Sequence, residues 1–510
     1  MTSFERQGLD TYNNAVKPQY GILTYTWGRW RSDSVLALPV SGVTWRIPAV
    51  KESHFTVQAF HSVLERICHE ELDWAWIDIA CIDQENGEVK MDEIGRQASI
   101  FGNAAKVFVW LSSLETGVLT SALDDIGEYG PQLMTFDSLK LNRTKSIGHL
   151  YEAFEVIFND PWFSSLWTLQ EIVLRHDAMI ISREGQSIPM KNQGKRLDTF
   201  MSMLKNSCQN IHGDLLDWNA SGETEGQIST ILRHINCAGF YFLHSGNPNV
   251  QYGIAKYRQT EFPLDRVYGI MQVYNLRVGE AARPGARLTL EELEDEFAGT
   301  INSTSPVLGQ LFVHSTRPPT GKSWRITQNS TVPYQLLSYN YKDTKQLCSI
   351  AVDGAGRATA KGDITPLLGL LEPLMLGRNH MGEMRNQVGL YLDSHINDDL
   401  PKDLSPIPQP FKLAGRDWYT RCKVLSDRFG RELLWILKLG VHEEVATKSK
   451  PQGWVEDTFY RLVLHGPLPG MTGTGESYER VGVVTWVIRW ERSRDIVKSL
   501  RWDFVDLILL

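Results

Sequence analysis

An α/β fold with a parallel sheet is predicted for the N-terminal third of this 510-residue chain. Three short, almost wholly apolar runs predict it, and they lie at residues 21–27, 74–80 and 106–111. Runs of this kind are typical of strands covered on both faces of a sheet. Segments with helical spacing of apolar residues separate them, and parallel neighbours need such crossovers. We therefore expect the three strands to be adjacent and parallel.

The elements of this region can be placed in order along the chain. The first strand ends at Gly28, a turn-forming residue. Asp160 and Pro161 form a strong helix start, because an aspartate caps the first N–H groups and a proline needs none. Three helices are predicted, over about residues 53–70, 90–105 and 161–175. A fourth strand is expected over 178–182, and the polar stretch 112–144 is interpreted as an insertion.

Two further regions follow the α/β region. Helical spacing dominates residues 188–322, whereas turn-rich stretches alternate with β-type runs over residues 323–510. We therefore predict an α/β domain at 1–187, a helical middle region at 188–322 and a strand-rich α+β region at 323–510. A chain of this length is expected to hold two or three domains of roughly 100–200 residues each.

Composition and charge exclude several classes of protein. The formal net charge of −8 argues against the nucleic-acid backbone as a main partner, because phosphate binding needs clustered positive charge. The six cysteines and 13 histidines show no metal-ligand spacing, so no metal site is predicted and free thiols are expected. The chain has no signal-peptide pattern and no apolar run of about 18 residues. These features predict a cytoplasmic protein without a membrane segment.

Three sequence blocks carry a family resemblance. They are Tyr20–Gly28 (YGILTYTWG), Trp76–Gln84 (WIDIACIDQ) and Pro161–Glu171 (PWFSSLWTLQE). In this order they resemble the HET domain of fungal heterokaryon incompatibility proteins, with Thr24 where that family has a serine. A weaker echo at Pro263–Ile270 resembles a Pro-Arg-Asp-x-Val-Tyr segment found downstream of HET domains. There Leu264 stands in place of the arginine.

HET domains in turn resemble TIR domains, which are flavodoxin-like α/β modules that cleave NAD in several lineages and trigger cell death. The spacing of Trp167 and Glu171 is similar to the TIR segment Trp-Cys-x-x-Glu, with Thr168 in place of the cysteine. That resemblance implies a flavodoxin-like sheet here and a catalytic role for Glu171. Asp78 is similar to the aspartate that ends a TIR strand before a mobile loop.

Two interpretations of Glu171 follow from its place in the predicted helix. It falls at the edge of the apolar face, one turn after Trp167. A carboxylate in a partly dry site suits cleavage of an N-glycosidic bond, because it stabilises the ribosyl cation that forms. Alternatively, Glu171 pairs with Arg175 at i+4 on a solvated face. Gln170 falls inside the apolar arc, so its amide needs hydrogen-bond partners.

The other candidate ligand-binding residues lie at predicted strand ends, where open α/β sheets bind ligands. Asp78 is near the end of the second strand, and its alternative role is to bind backbone N–H groups of the next turn. Asp83 and Gln84 belong to that turn and are either ligand-binding or turn-stabilising. Tyr25 and Trp27, followed by Gly28, end the first strand, where the aromatic rings either line a ligand or pack in the core.

Three functional hypotheses remain open from the sequence. The first is an enzyme of non-self recognition and cell death that takes NAD or a related nucleotide as substrate and needs no cofactor. The second is a signalling or scaffold module that binds a partner protein or associates with itself. The third is a tailoring enzyme of fungal secondary metabolism. The position of Glu171 favours the first, and the long unassigned C-terminal part favours the second.

Overall fold

The computed structural model divides the chain into two compact units. One unit comprises residues 1–244 and 254–288, and the other comprises residues 245–253 and 289–510. The finer division into three domains stays a prediction. The structure describes all residues except 8–10, 34–36, 135–139, 193–194, 217, 219, 244–245, 334–335, 338, 340–342, 371–387, 399–425, 431–432, 445–453, 469–475 and 491–499.

A four-stranded parallel sheet forms the centre of the first unit. Its strands are β1 (Tyr20–Thr24), β2 (Trp74–Trp76), β3 (Lys106–Trp110) and β4 (Met179–Ile181). The order in the sheet is β2-β1-β3-β4, and each neighbouring pair is parallel. The prediction of three adjacent parallel strands is therefore confirmed, and so is the fourth strand.

Both faces of this sheet are covered by apolar side chains. Along β3, Val107 and Val109 belong to one hydrophobic cluster, whereas Phe108 and Trp110 belong to another. Side chains alternate between the two faces of a strand, so the two clusters lie on opposite faces. This explains why the strands read as continuous apolar runs rather than as alternating patterns.

The helices of the α/β part differ in detail from the sequence prediction. They are α1 (Val57–His69), α2 (Asp78–Cys81), α3 (Gly87–Ile94), α4 (Gln97–Asn103), α5 (Thr116–Tyr129), α6 (Lys140–Phe158) and α7 (Leu166–Leu174), the last preceded by a 3₁₀ turn at Pro161–Ser164. The helix predicted over 90–105 is thus two helices. The stretch 112–144 is not a polar insertion, because α5 buries Leu119, Leu123 and Ile126.

The remaining elements of the first part of the chain are short strands and helices. The strands are Arg6–Gln7, Thr11–Tyr12, Ala15–Val16, Pro189–Asn192 and Lys195–Asp198. The helices are Met201–Leu216, Glu223–Ala238, Asn249–Ile254 and Asp265–Tyr268, with 3₁₀ turns at Gly28–Trp30, Pro131–Met134, Ala255–Tyr257, Met271–Tyr274 and Gly279–Ala281.

The second unit is built around a sheet that closes on itself. Its ring consists of β5 (Ala358–Pro366), β6 (Leu434–Glu444), β7 (Trp454–His465), β8 (Ser477–Trp490) and β9 (Asp503–Leu509). The ring closes because β5 pairs with both β6 and β9. Strands Thr344–Gln346, Ser349–Val352 and Val388–Leu392 extend it. The strand-rich C-terminal region is thus confirmed.

Shorter elements complete the second unit. They are the helices Leu290–Thr304, Pro306–Gln310 and Ser394–Asp398 and the strand pair Val313–His314 and Ser330–Thr331. Across the part of the chain that the structure describes, no helix combines the length and the apolar character needed to cross a membrane.

Candidate functional site

The candidate site lies where β1 and β2 end. Tyr25 and Trp27 follow β1, and Asp78 follows β2 as the first residue of α2. The indole Nε1 of Trp27 donates a hydrogen bond to Oδ2 of Asp78 at 2.6 Å, and the backbone N–H of Ile79 donates to Oδ1 at 2.7 Å. Because parallel strands end at the same edge of a sheet, residues about 50 positions apart come together here.

Asp78 is half-buried, but its carboxyl group is enclosed. Burial raises the pKa of this carboxyl above its usual range, and the hydrogen bonds from Trp27 and Ile79 partly oppose the rise. The second strand was expected to include Asp78, but β2 ends at Trp76 and Asp78 opens a helical turn. Its carboxylate therefore accepts from its own helix start as well as from Trp27. The contact with the helix start agrees with the structural interpretation, and ligand binding by Asp78 stays a prediction.

Tyr25 has its ring in the core and its hydroxyl at the site. The ring packs among Phe55, Phe60 and Trp110, with ring centroids 5.9 to 6.3 Å away. The buried hydroxyl makes no hydrogen bond of ordinary geometry with any described residue. Burial raises the pKa of Tyr25 well above its usual value, and the charge of Asp78 adds to the rise. A proton donor thus lies beside the carboxyl group of Asp78.

Glu171 contributes a second enclosed carboxyl group from α7. Its Oε2 is buried and has no hydrogen-bond partner among the described residues. Burial raises the pKa of Glu171 to about 8, opposed by the Thr24 hydroxyl and increased further by the charge of Asp78. At neutral pH this carboxyl group is therefore mostly protonated. A carboxyl group with one unbonded oxygen in a dry setting is costly, which marks Glu171 as a functional candidate.

Arg175, the alternative partner of Glu171, is engaged elsewhere. Its guanidinium donates to both carboxylate oxygens of Asp177 at 2.8 Å. It also donates to the backbone carbonyls of Phe101 and Ala104 at 2.9 and 2.7 Å. These bonds use the donors that an i,i+4 ion pair would need. Glu171 is therefore not held as half of a surface salt bridge.

Trp167 is oriented by a residue that sequence reasoning did not single out. Its indole Nε1 donates to Oδ2 of Asp265 at 3.3 Å, and the Thr260 hydroxyl donates to the same oxygen at 2.6 Å. Burial raises the pKa of Asp265. The only sequence signal for Asp265 was the weak echo at Pro263–Ile270. The structure shows that this segment contacts the helix that carries Glu171.

Gln170 is fully buried and belongs to a different network. Its Nε2 donates to Oε1 of Gln97 at 2.5 Å, and its Oε1 accepts from the backbone N–H of Gln272 at 3.0 Å. The expected partners of the buried amide are thus present, but they tie α7 to α4 and to the 3₁₀ turn at Met271–Tyr274. Gln170 is not in the hydrogen-bond network of Asp78.

Three more of the predicted site residues lie at the edges of the site, namely Asp83, Gln84 and Gly28. Oδ1 of Asp83 accepts from the backbone N–H groups of Glu85 and Asn86 at 2.9 and 3.1 Å, which is a turn-stabilising arrangement. Gln84 Nε2 donates to the backbone carbonyl of Asp78 at 3.4 Å. A Cβ at Gly28 would meet only a carboxylate oxygen of Glu261, at 4.0 Å, so the surface above Gly28 is open.

Two cations also border the site. The guanidinium of Arg31 lies 4.8 Å from the ring centroid of Trp27. Burial lowers the pKa of Lys90 on α3, and the charge of Arg31 lowers it further. The carboxylates of Asp265, Glu261 and Asp78 oppose this. Neither cation belongs to a motif, so nothing in the sequence linked them to the site.

Residues downstream of the three blocks hold the turn before α7 in place. The buried guanidinium of Arg258 donates to the backbone carbonyls of Trp162 at 3.1 Å, Ser165 at 3.3 Å and Ala238 at 2.6 Å. Next to it, the backbone N–H of Gln259 donates to the carbonyl of Ser164 at 2.7 Å. The sequence gave no signal for Arg258, because it stands in an unremarkable polar stretch.

The candidate site combines acidic and aromatic side chains. Two enclosed carboxyl groups, Asp78 and Glu171, lie in a setting that also contains the indoles of Trp27 and Trp167. Trp27 is buried in the core, as one of the two sequence interpretations expected, whereas Trp167 is half-buried. Such a site suits a flat group that is positively charged, because the Trp167 ring can stack on it and the carboxyls can balance its charge. Among the described residues, no group of three His, Cys, Asp or Glu side chains is arranged to hold a metal ion.

Comparison with known proteins gives one family and one relative. The family model described as Heterokaryon incompatibility protein (HET) matches residues 20–171, from the start of β1 to Glu171. Heterokaryon incompatibility protein 6, OR allele, of Neurospora crassa is 24% identical over 305 residues. That alignment covers 52% of this chain and 41% of the relative, so the chain matches less than half of the relative's length. No solved structure matches the chain.

Proposed function

We propose that the protein acts in fungal non-self recognition and the cell death that follows it, because residues 20–171 match the model of the heterokaryon incompatibility (HET) family. The name of the Neurospora crassa relative supports the first part of this proposal. We further propose that the site cleaves NAD or a related nucleotide at the bond between nicotinamide and ribose. The following observations support that activity.

The sheet order supports a flavodoxin-like, TIR-like fold. The order β2-β1-β3-β4 equals the first four positions of the flavodoxin type, in which strand order reverses beside the first strand. Ligands of such sheets bind outside the carboxyl ends of the strands near that reversal. The candidate site lies at the carboxyl ends of β1 and β2.

The buried Oε2 of Glu171, without a hydrogen-bond partner beside a second carboxyl group, is the observation that carries the proposed chemistry. The nicotinamide ring of NAD is a cation. A cation next to Asp78 and Glu171 favours their ionised forms, so binding would release the proton that Glu171 holds in the free protein. The two carboxylates then stabilise the positive charge that moves from the ring to the ribose as the bond breaks.

The reaction balances with water as the only co-substrate. The electron pair of the C1′–N bond goes to the ring, which leaves as neutral nicotinamide. The oxygen of a water molecule bonds to C1′, and the Glu171 carboxylate accepts the proton that the water loses. Tyr25, whose buried hydroxyl lies beside Asp78, is placed to donate a hydrogen bond to a ribose hydroxyl. The half-buried indole of Trp167 is available to stack on the leaving ring.

Glu171→Gln tests this proposal, because it keeps the size of the side chain and removes its charge. The purified full chain, at low and at high concentration, is incubated with NAD, and nicotinamide and ADP-ribose are separated by chromatography. We expect Glu171→Gln to lose about 100-fold or more in rate, since such electrostatic stabilisation is worth several kcal/mol. Glu65→Gln, the same change at an exposed position of α1, is expected to keep the parent rate.

Two outcomes would contradict the proposed activity. If the parent releases no nicotinamide even at high concentration, NAD cleavage is wrong. If Glu171→Gln cleaves NAD as fast as the parent, Glu171 is not the catalytic residue. If Glu171→Gln folds correctly and still causes cell death in a fungal host, that result would favour the non-catalytic signalling module instead.

A further inference from the structure

Two hydrogen bonds in series fix the orientation of the Trp167 ring. The indole Nε1 of Trp167 donates to Oδ2 of Asp265 at 3.3 Å, and the hydroxyl of Thr260 donates to the same oxygen at 2.6 Å. Nε1 is the only polar atom of an indole, so a bond at this atom sets how far the ring is turned about its side-chain torsion angles. Thr260 in turn orients the carboxylate. The plane of the Trp167 ring therefore depends on a residue 98 positions downstream.

The downstream segment is held against α7 by contacts of its own backbone. The backbone N–H of Leu166 donates to the carbonyl of Gln259 at 3.0 Å, and the N–H of Gln259 donates to the carbonyl of Ser164 at 2.7 Å. Gly269 packs against the side chain of Leu166, since a Cβ built at Gly269 would lie 3.1 Å from Leu166 Cγ. None of these contacts uses the Asp265 carboxylate. We therefore expect the segment to stay in place when that carboxylate is changed.

The same segment brings a second carboxylate to the edge of the candidate site. Glu261 follows Thr260 in the chain, and its Oε2 lies 4.0 Å from the position of a Cβ built at Gly28, just after β1. Glu261 is exposed and makes no ion pair or side-chain hydrogen bond with any residue that the structure describes. The carboxylate of Asp265 meets the edge of the Trp167 ring. Negative charge from one short segment thus lies both at Trp167 and at the end of β1.

An indole held in this way is a platform for a flat cation. A positive charge over an indole is attracted by the electrons of the ring, and the attraction grows where water is partly excluded. A carboxylate at the edge of the ring adds to it, because opposite charges attract each other strongly at short range. A neutral ring of the same shape gains the stacking but neither attraction of charge. Trp167 is half-buried, so part of its ring is open to such a ligand.

We propose that Asp265 is a positioning residue of the candidate site, which holds the Trp167 indole in the plane on which a pyridinium ring stacks. This inference rests on the proposed function for the nature of the ring, and it adds a role for a residue outside the segment that matches the family model. It also gives the site a preference for a charged ring over a neutral one. Asp265 acts on the ligand through Trp167 and not by direct contact.

Binding of 1-methylnicotinamide to the full chain tests this role without any need for catalysis. This compound is a pyridinium cation that has no ribose and cannot be cleaved, and nicotinamide is the matched neutral ring. Titrations followed by saturation-transfer NMR give the dissociation constant of each compound. We expect the parent to bind 1-methylnicotinamide about ten-fold more tightly than nicotinamide, since only the cation is attracted by the indole and by the carboxylates.

Asp265→Leu removes the acceptor of the Trp167 N–H with little change in size. We expect it to weaken 1-methylnicotinamide binding by about ten-fold, since a hydrogen bond to a charged group is lost and the ring is free to turn. Asp265→Asn keeps an acceptor oxygen, so its loss is expected to be about three-fold or less. Asp73→Leu is the matched control, because Asp73 is exposed and precedes β2, at the opposite end of that strand from the site. Circular dichroism confirms that each variant is folded.

A double-mutant cycle separates positioning from a purely structural role. Trp167→Phe keeps an aromatic ring but has no N–H for Asp265 to hold. If Asp265 acts through that N–H, the loss caused by Asp265→Leu is smaller by about three-fold or more in the Trp167→Phe chain than in the parent. Equal losses in the two chains would show that Asp265 stabilises the segment rather than the ring, and would overturn the proposal.

Three other results would also overturn the positioning role. They are no binding of 1-methylnicotinamide by the parent, equal binding of 1-methylnicotinamide and nicotinamide, and unchanged binding by Asp265→Leu. If 1-methylnicotinamide binds through Trp167 and Asp265 but NAD is not cleaved, the positioning role stands and the proposed activity fails. If Asp265→Leu cleaves NAD as fast as the parent, the activity stands and the positioning role fails.

Discussion

Two carboxyl groups with raised pKa values, Asp78 and Glu171, define the candidate site at the scale of single residues. Burial is the main cause for both, so the protein spends folding free energy to keep them away from water. Glu171 illustrates this best, because its Oε2 has no partner among the described residues and Arg175 is bonded elsewhere. Groups kept at such a cost are typical of functional sites.

The raised pKa of Glu171 predicts a pH-dependent stability difference. Ionising Glu171 is harder in the folded than in the unfolded chain, so stability is lost as pH rises from about 4.5 to about 8. Glu171→Gln removes this loss. We expect the variant to unfold like the parent near pH 4 and to be more stable at pH 9 by on the order of 5 kcal/mol.

Urea unfolding at pH 4, 7 and 9 measures this difference. Glu65→Gln, which changes an exposed residue of α1, is expected to show no pH-dependent difference. An equal stability of Glu171→Gln and parent at every pH would mean that the carboxyl group is solvated in the folded protein.

At the scale of elements, α7 is held by segments that lie far from it in sequence. Arg258 caps carbonyls of the turn before α7 and of the helix Glu223–Ala238. Gln272 donates to Gln170 within α7. The family match ends at Glu171, but these contacts come from residues about 90 to 100 positions later. The element that carries Glu171 therefore depends on the downstream segment for its position.

Arg258→Lys tests this dependence, because lysine keeps the charge but cannot reach three carbonyls at once. We expect a loss of about 2–4 kcal/mol in stability, since buried carbonyls lose their donors. Urea unfolding measures it. Arg233→Lys, on a more exposed part of the helix Glu223–Ala238, is the matched control and is expected to change stability by less than about 0.5 kcal/mol. A similarly small change in Arg258→Lys would show that α7 holds its position without this cap.

At the scale of the molecule, the closed sheet of the second unit contains a fully buried ion pair. Arg480 on β8 donates to both carboxylate oxygens of Asp393 at 2.8 Å, and neither side chain is exposed. Asp393 also accepts from the backbone N–H of His314 at 2.8 Å. The pair therefore links β8 to two other segments of its unit, and removing one partner would leave a buried charge uncompensated.

We accordingly expect Asp393→Ala to destabilise the second unit by about 3–5 kcal/mol. Hydrogen exchange followed by mass spectrometry measures this as faster exchange in β8 and in strand Val313–His314. Asp506→Ala breaks the exposed pair Lys361–Asp506 in the same sheet and serves as the control, with an expected change of less than about 1 kcal/mol. Unchanged protection of β8 in Asp393→Ala would show that the ion pair does not stabilise this unit.

The sequence by itself determined where the four parallel strands of the N-terminal region lie and that the first three are adjacent. Continuous apolar runs and helical spacing are local patterns, so β1 to β4 and α7 could be predicted without knowledge of their contacts. The sequence also pointed to Asp78 and Glu171, because each is a carboxyl group in an otherwise apolar element. Helix ends and the buried faces of the stretch 112–144 were less predictable, because packing decides them.

Only the tertiary structure decided which side chains meet at the site. Lys90, Arg31 and Asp265 lie on separate polar segments, and no local pattern links them to Trp27 or Trp167. Gln170 and Glu171 are neighbours in sequence but enter different networks, because successive residues of a helix point in directions about 100° apart. Contacts between residues 50 to 170 positions apart depend on how the sheet and helices pack, and local sequence patterns do not encode that packing.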